Sequence, residues 1–164
     1  MPRWKRRLDL ALVILSAPLW APIMGMTGLL IKLISPGPIF FRQERVGLGG
    51  VPFMILKFRS MKVNAETRTH EEYVESLMQN GAAMQKLDDR DSRLIPLGRL
   101  MRASGLDELP QIFNVISGHM SLVGPRPCTV LEFRHYQPWQ KGRVHATPGL
   151  TGYWQVHGKN RTTF

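Results

Sequence analysis

Between Asp9 and Lys32 the chain runs for 22 residues without a charged side chain. As a straight helix that run would measure ~33 Å at ~1.5 Å per residue, enough to cross a bilayer. Two features oppose a straight span. Pro18 and Pro22 lack the N–H groups that would bond the carbonyls of Ile14 and Pro18, so a helix should bend there. Basic residues also flank both ends, with Arg3, Lys5, Arg6 and Arg7 before the run and Lys32, Arg42 and Arg45 after it, and the positive-inside tendency assigns both flanks to the cytoplasmic face. A Pro-broken helix that enters one leaflet and returns satisfies both facts. A kinked spanning helix and a buried helix of a soluble fold are the alternatives. A cleaved signal peptide fits poorly, because the run is long, holds two prolines and lacks a small-x-small cleavage site.

The 164 residues are enough for one domain with a core. Lys and Arg number 22 against 12 Asp and Glu, a net charge of +10. The excess lies at the two ends: ten basic and two acidic residues in 1–62, six and nine in 63–110, six and one in 111–164. Such a balance suits a negatively charged partner, whether nucleic acid, anionic lipid head groups or a phosphorylated substrate. The single cysteine, Cys128, excludes an internal disulfide and a Cys-based zinc cluster and points to a reducing compartment.

Two β-rich runs, Ile39 to Val46 and Pro52 to Phe58, flank Gly47-Leu48-Gly49-Gly50, which predicts a hairpin. That turn lacks the Gly-Lys-Ser/Thr ending and the helix after it that mark a nucleotide-binding phosphate loop. The stretch Glu66 to Asn80 reads as an acidic outer helix whose Glu71, Glu72 and Glu75 are surface charges. Leu97, Leu100 and Met101 fall on one face of a helix beside Arg99 and Arg102, a pattern that suits a membrane interface or a packed helix equally. Ser104-Gly105 then breaks the pattern.

Adjacent carboxylates come next, at Asp107 and Glu108. With Asp107 as helix N-cap, Glu108 falls at the first helical position and Pro110 at the third, where its missing N–H costs nothing. The helix would continue with Leu109, Ile112, Phe113 and Ile116 along one face. Both carboxylates would stand at the positive end of that helix, which favours their ionised forms and an anionic ligand. An ionised Asp can serve as a nucleophile and its neighbour as a metal ligand; capping alone is the simpler role. In Gly124-Pro125-Arg126-Pro127 two prolines restrict the backbone around a guanidinium suited to bidentate phosphate contact, although a Pro-rich turn needs no ligand. Pro148 to Gln155 reads as a turn and then a short strand. His135, His145 and His157 are too widely spaced to announce a metal site.

Together these motifs resemble the bacterial sugar transferase family, the monotopic polyprenol-phosphate phosphoglycosyl transferases. The resemblance rests on the basic start and Pro-broken apolar helix, Lys57-Phe58-Arg59-Ser60-Met61, Leu106-Asp107-Glu108-Leu109-Pro110-Gln111, Asn114-Val115, Met120 through Pro127, and Pro148-Gly149-Leu150-Thr151-Gly152. It implies an α+β fold, a mostly helical small catalytic domain with a β-hairpin. Residues 1–35 would form the re-entrant membrane helix, and residues 36–164 a cytoplasmic catalytic domain lacking the family's C-terminal part. It implies transfer of a phospho-sugar from a nucleotide sugar, with UDP the expected nucleotide, to polyprenol phosphate at the cytoplasmic face of the bacterial inner membrane, releasing a nucleoside monophosphate.

By the same resemblance Asp107 is the nucleophile and Glu108 a ligand of Mg²⁺, with both counted as catalytic. Arg102, Arg126, Lys57 and Arg59 are the expected ligands of substrate phosphate. Partners are then the nucleotide-diphosphate sugar, polyprenol phosphate and membrane lipids; the oligomeric state, monomer or homo-oligomer, stays open. The chain departs from the family pattern at Ala21-Pro22, where a Ser-Pro pair is typical and Ser16 or Pro18 can compensate, and at His119, which replaces a common acidic residue. A non-catalytic scaffold or a basic binder of anionic lipid or nucleic acid is the rival reading. Nucleic acid is disfavoured, since no helix-turn-helix, zinc-finger or RNP-like motif is legible.

Overall fold

The computed structural model describes residues 1–63, 91–153 and 156, so the expected helix over Glu66 to Asn80 lies outside the described residues. Helix and strand are mixed as expected. Helices α1 (Arg3–Leu15) and α2 (Ala17–Ile34) open the chain, and strands β1 (Phe40–Val46) and β2 (Pro52–Phe58) come after them. Next come α3 (Gly98–Ser104), a 3₁₀ segment Leu106–Gln111, α4 (Ile112–Ser117) and β3 (Ser121–Val123). The last described elements are α5 (Val130–His135), α6 (Pro138–Lys141), a 3₁₀ turn Gly142–His145 and β4 (Gly149–Thr151).

The helix is interrupted at Ser16, between the Ile14 carbonyl that Pro18 leaves without an N–H and Pro18 itself. Pro18 lies in the first turn of α2, where a missing N–H is harmless, and Pro22 lies inside α2. The exposed carbonyls of the break find local donors: Ser16 Oγ donates to Leu12 O at 2.7 Å and to Val13 O at 3.3 Å, and the Trp20 indole donates to Val13 O at 2.9 Å. Serine thus serves the break here without a Ser-Pro pair. Helix α2 is long and apolar enough to cross a membrane by length and composition.

Strands β1 and β2 pair antiparallel around the expected Gly-rich turn, with Arg45 opposite Phe53 and Phe41 opposite Lys57. Side chains alternate across a strand, so Gln43, Arg45, Phe53, Ile55 and Lys57 share one face. On that face Phe53 and Ile55 join Val13, Ile112, Val115 and Met120 in one core cluster. A second cluster gathers Met24, Ile31, Phe58, Ile95 and Met101, and Leu109 packs against both. A third holds Val46, Cys128 and Tyr136.

Short strands β3 and β4 pair in parallel. Ser121 N–H donates to Pro148 O at 2.8 Å, Gly124 N–H to Thr151 O at 2.9 Å and Gly149 N–H to Pro125 O at 2.9 Å. Side chains are excluded there: a Cβ on Gly149 would lie 2.0 Å from Gly124 N, and one on Gly124 would lie 2.3 Å from Thr147 O. The strand expected after Pro148 therefore begins at once, at Gly149, and it pairs with β3, which carries no strand signal of its own.

Candidate active site

The carboxylate pair is positioned by Gly105. Its φ of 76° closes α3 in the left-handed region that glycine adopts freely, and the 3₁₀ segment begins at the next residue. Asp107 and Glu108 consequently lie inside the first turn, and Gly105, not Asp107, is the N-cap. The expected apolar face is corrected as well. Six residues wound at about three per turn shift the phase of α4 behind them. Pro110, Gln111, Ile112, Asn114 and Val115 turn inward, while Phe113 and Ile116 are exposed.

Lys57 stands on the core-facing side of β2 and reaches the pair. Its Nζ donates to Glu108 Oε1 at 3.0 Å, with the Glu108 side chain 42% exposed. Burial pushes the Lys57 ammonium below its ordinary range, while Glu108 and Asp107 act in the opposite direction by favouring its charge. Lys57, Asp107 and Glu108 therefore share one electrostatic neighbourhood.

Arg45 joins it from the same hairpin face. Its Nη1 donates to Pro127 O at 3.2 Å, its Nη2 and Nε donate to Gln43 Oε1 at 2.7 and 3.2 Å, and it forms a buried ion pair with Glu132 at 3.7 Å. Burial lowers its basicity, and Arg126 adds to that; Glu132 and Glu108 oppose it. Beside it, Val46 N–H donates to Cys128 O at 2.9 Å. The end of β1 thus grips the backbone just after Arg126. Glu132 in turn belongs to a capping box with Thr129 at the start of α5. Arg126 and Arg143 line one small recess with Pro125, Cys128 and Pro148, and Arg143 Nε is buried there without a hydrogen-bond acceptor.

The other expected phosphate ligands are placed differently. Arg102 is half-buried in the last turn of α3; the Asp91 carboxyl is held down chiefly by its hydrogen bonds from Arg93, and the charge of Arg102 adds to that. Arg59 is buried and donates to Pro38 O at 2.7 Å, Ser35 Oγ at 3.1 Å and Ser35 O at 2.9 Å. Its guanidinium therefore ties the end of β2 to the chain leaving α2. His119 stacks on Phe53 at 5.8 Å and meets Ser117 Oγ at 2.8 Å.

Asn114 and Arg45 are the residues whose roles sequence reasoning missed. Asn114 Oδ1 accepts the Leu56 N–H at 2.9 Å and its Nδ2 donates to Met54 O at 2.8 Å. The parity of β1 and β2 could have flagged Arg45 as facing the same way as Lys57; Asn114 belongs to the family pattern, but nothing local in that pattern points to an amide docked on β2.

No group of three or more His, Cys, Asp or Glu side chains gathers among the described residues. Two adjacent carboxylates are present, and oxygen donors suit Mg²⁺, which binds through one or two carboxylates and fills its octahedron with water and substrate phosphate. Asp107 and Glu108 fit that ion, and a diphosphate would supply the remaining oxygens.

The sequence model of the family described as "Bacterial sugar transferase" matches residues 2–164. The chain is similar to a UDP-glucose:undecaprenyl-phosphate glucose-1-phosphate transferase of Caulobacter vibrioides, 42% identical over 157 residues that cover 94% of this chain and 54% of that protein. It is similar to a UDP-N-acetylgalactosamine-undecaprenyl-phosphate N-acetylgalactosaminephosphotransferase of Aeromonas hydrophila, 42% identical over 158 residues, covering 94% of this chain and 34% of that one. A third relative, exopolysaccharide production protein ExoY of Sinorhizobium fredii, is 38% identical over 170 residues, covering 98% and 71%. The chain thus spans 54% and 34% of the length of the first two relatives.

Proposed function

This chain belongs to the bacterial sugar transferase family, and from that premise we propose that it transfers a sugar-1-phosphate from a UDP-sugar to undecaprenyl or another polyprenol phosphate. The observation that supports this most directly is the carboxylate pair on the cationic hairpin face, with Lys57 Nζ 3.0 Å from Glu108. In the first step an Asp107 carboxylate oxygen attacks the phosphorus that bears the sugar. The new O–P bond forms as the P–O bond of the diphosphate bridge breaks, and UMP leaves with the bridging oxygen and its electron pair. In the second step a phosphate oxygen of the lipid attacks the same phosphorus, and the Asp107 carboxylate is regenerated.

Displacement at phosphorus leaves the protein little covalent work beyond the nucleophile, so positioned cations do most of the rest. Lys57 holds Glu108 and offsets charge beside Asp107. Arg126, in the segment whose next two carbonyls Arg45 and β1 hold, lines the recess beside Pro125 and would steady a phosphate oxygen. Mg²⁺, held by Glu108 and Asp107, would neutralise charge on the diphosphate oxygens. Helices α1 and α2 would enter the cytoplasmic leaflet of the bacterial inner membrane and return, which brings the site to the height of the lipid's head group.

A single-turnover measurement tests the covalent step. Given Mg²⁺ and a UDP-sugar but no lipid, the protein is expected to release up to one UMP per site and gain the mass of a phospho-sugar, read soon after quenching. Asp107→Asn is expected to abolish both signals. Turnover without an adduct in the wild-type protein, together with turnover by Asp107→Asn, would overturn the mechanism.

A further inference from the structure

The side chain of Asn114 is buried and joins the helical run Leu106–Ser117 to β2 at two points, Leu56 N–H and Met54 C=O. Both backbone groups lie on the edge of β2 that faces away from β1. The ladder requires this: Arg59 N–H reaches Ile39 O and Gly47 N–H reaches Val51 O, which makes Phe40–Phe58 and Val46–Pro52 the pairs that do not exchange hydrogen bonds, and Met54 and Leu56 share their parity. One side-chain amide therefore docks where the backbone of a third strand would. Lys57 comes directly after Leu56, and Glu108 precedes Asn114 by six residues on the same continuous run.

We propose that Asn114 is a positioning residue, which sets the offset between β2 and the helical run so that the Lys57 amine meets the Glu108 carboxylate. The use made of that pair rests on the phosphoglycosyl transfer proposed above; the positioning itself does not. Packing of Ile112 and Val115 on Phe53 and Ile55 is not directional and tolerates sliding of helix against strand. The amide is directional at both ends, because it offers one acceptor and one donor side by side. Aspartate keeps the acceptor and loses the donor. Glutamine would push both atoms out by about one carbon–carbon bond, roughly 1.5 Å. A misplacement of ~1 Å near reacting groups can cost ~100-fold in rate.

The test uses the whole chain and begins with a readout that needs no turnover. A carbodiimide joins an amine to a carboxylate in contact, so wild-type protein should yield an isopeptide between Lys57 and Glu108, detected by mass spectrometry of the digest. Asn114→Ala and Asn114→Asp are expected to lower its yield several-fold. Asn114→Asp keeps the side-chain volume and serves if Asn114→Ala fails to fold by circular dichroism.

The second arm is kinetic. Asn114→Ala is expected to lower kcat/KM for UMP release about tenfold in the wild-type background and to add nothing in a Lys57→Met background, since a residue acting through Lys57 has nothing left to position. A merely structural role would lower both backgrounds by the same factor. An isopeptide yield unchanged by both Asn114 variants, or multiplying losses in the double variant, overturns the proposal. If wild-type protein cross-links yet releases UMP from no UDP-sugar, the proposed reaction fails, and the cross-link yields alone decide the role of Asn114.

Discussion

The helix pair and the hairpin body treat polarity in opposite ways. Along α1 and α2 many apolar side chains stand outward, with Leu15 77% and Leu33 73% exposed, while Val13, Met24 and Ile31 turn into the core. In the body several charges turn inward instead, with Arg45 7% and Glu132 4% exposed. Each buried charge there has several directional partners, whereas each exposed leucine has none to lose in water. Hydropathy alone therefore misreads both regions: the order of the body comes from hydrogen bonds that reach across the sequence, and the apolar face of the helix pair is suited to a partner outside the chain, the leaflet proposed above.

The sharpest break of this contrast is Arg45→Met. It would leave Glu132 buried without its cation, and removing one partner of a buried pair typically costs ~3–5 kcal/mol. Urea unfolding in detergent should show a loss of that size; a loss under ~1 kcal/mol would mean that the Thr129 capping box alone holds Glu132.

Asp9 is the exception that joins the two regions. It is buried on α1, accepts from Ser121 Oγ at 2.8 Å and pairs with Lys5 at 3.5 Å, while Lys5 also donates to Ser121 Oγ. Arg6 adds a second tie through the carbonyls of Val115 and Ile116 at the end of α4. Asp9→Asn keeps an acceptor but loses the charge, so a destabilisation of about 1–3 kcal/mol is expected from the same unfolding measurement.

The smallest effect on the fold is expected from Leu29→Gln. Leu29 is exposed on α2, and substitutions at such positions usually move stability by no more than ~0.5 kcal/mol. Its effect should instead appear as weaker retention in the membrane fraction after a carbonate wash. Unfolding by Leu29→Gln as deep as that by Arg45→Met would erase the distinction between the two regions.

What was legible in the sequence was local. The hairpin was readable because two β-rich runs and the glycines of the turn between them lie within twenty residues. The adjacent carboxylates could be assigned to the start of a helical segment, but the cap could not be assigned correctly, because Gly105 both ends α3 and starts the next turn and leaves no residue between for Asp107 to cap. Arg59 and Arg45 look alike from their neighbours. What separates them from a surface arginine is a carbonyl 24 residues away for Arg59 and 82 residues away for Arg45. The pairing of β3 with β4 was hidden for a related reason: three residues are too few to display a period.

The close approach of Gly124 and Gly149 sets a lower bound on any fragment meant to keep Arg126 in place. A cut after Pro148 would strip Gly124 N–H and Pro125 C=O of their partners and remove the backbone that seats the turn from behind. Such a piece would retain Asp107, Glu108 and Lys57 with their own contacts, yet its arginine loop would lose the wall it leans on. Chimeras that exchange this loop between relatives should for the same reason carry residues 121–127 and 148–151 as one cassette, since neither glycine has room for another parent's side chain.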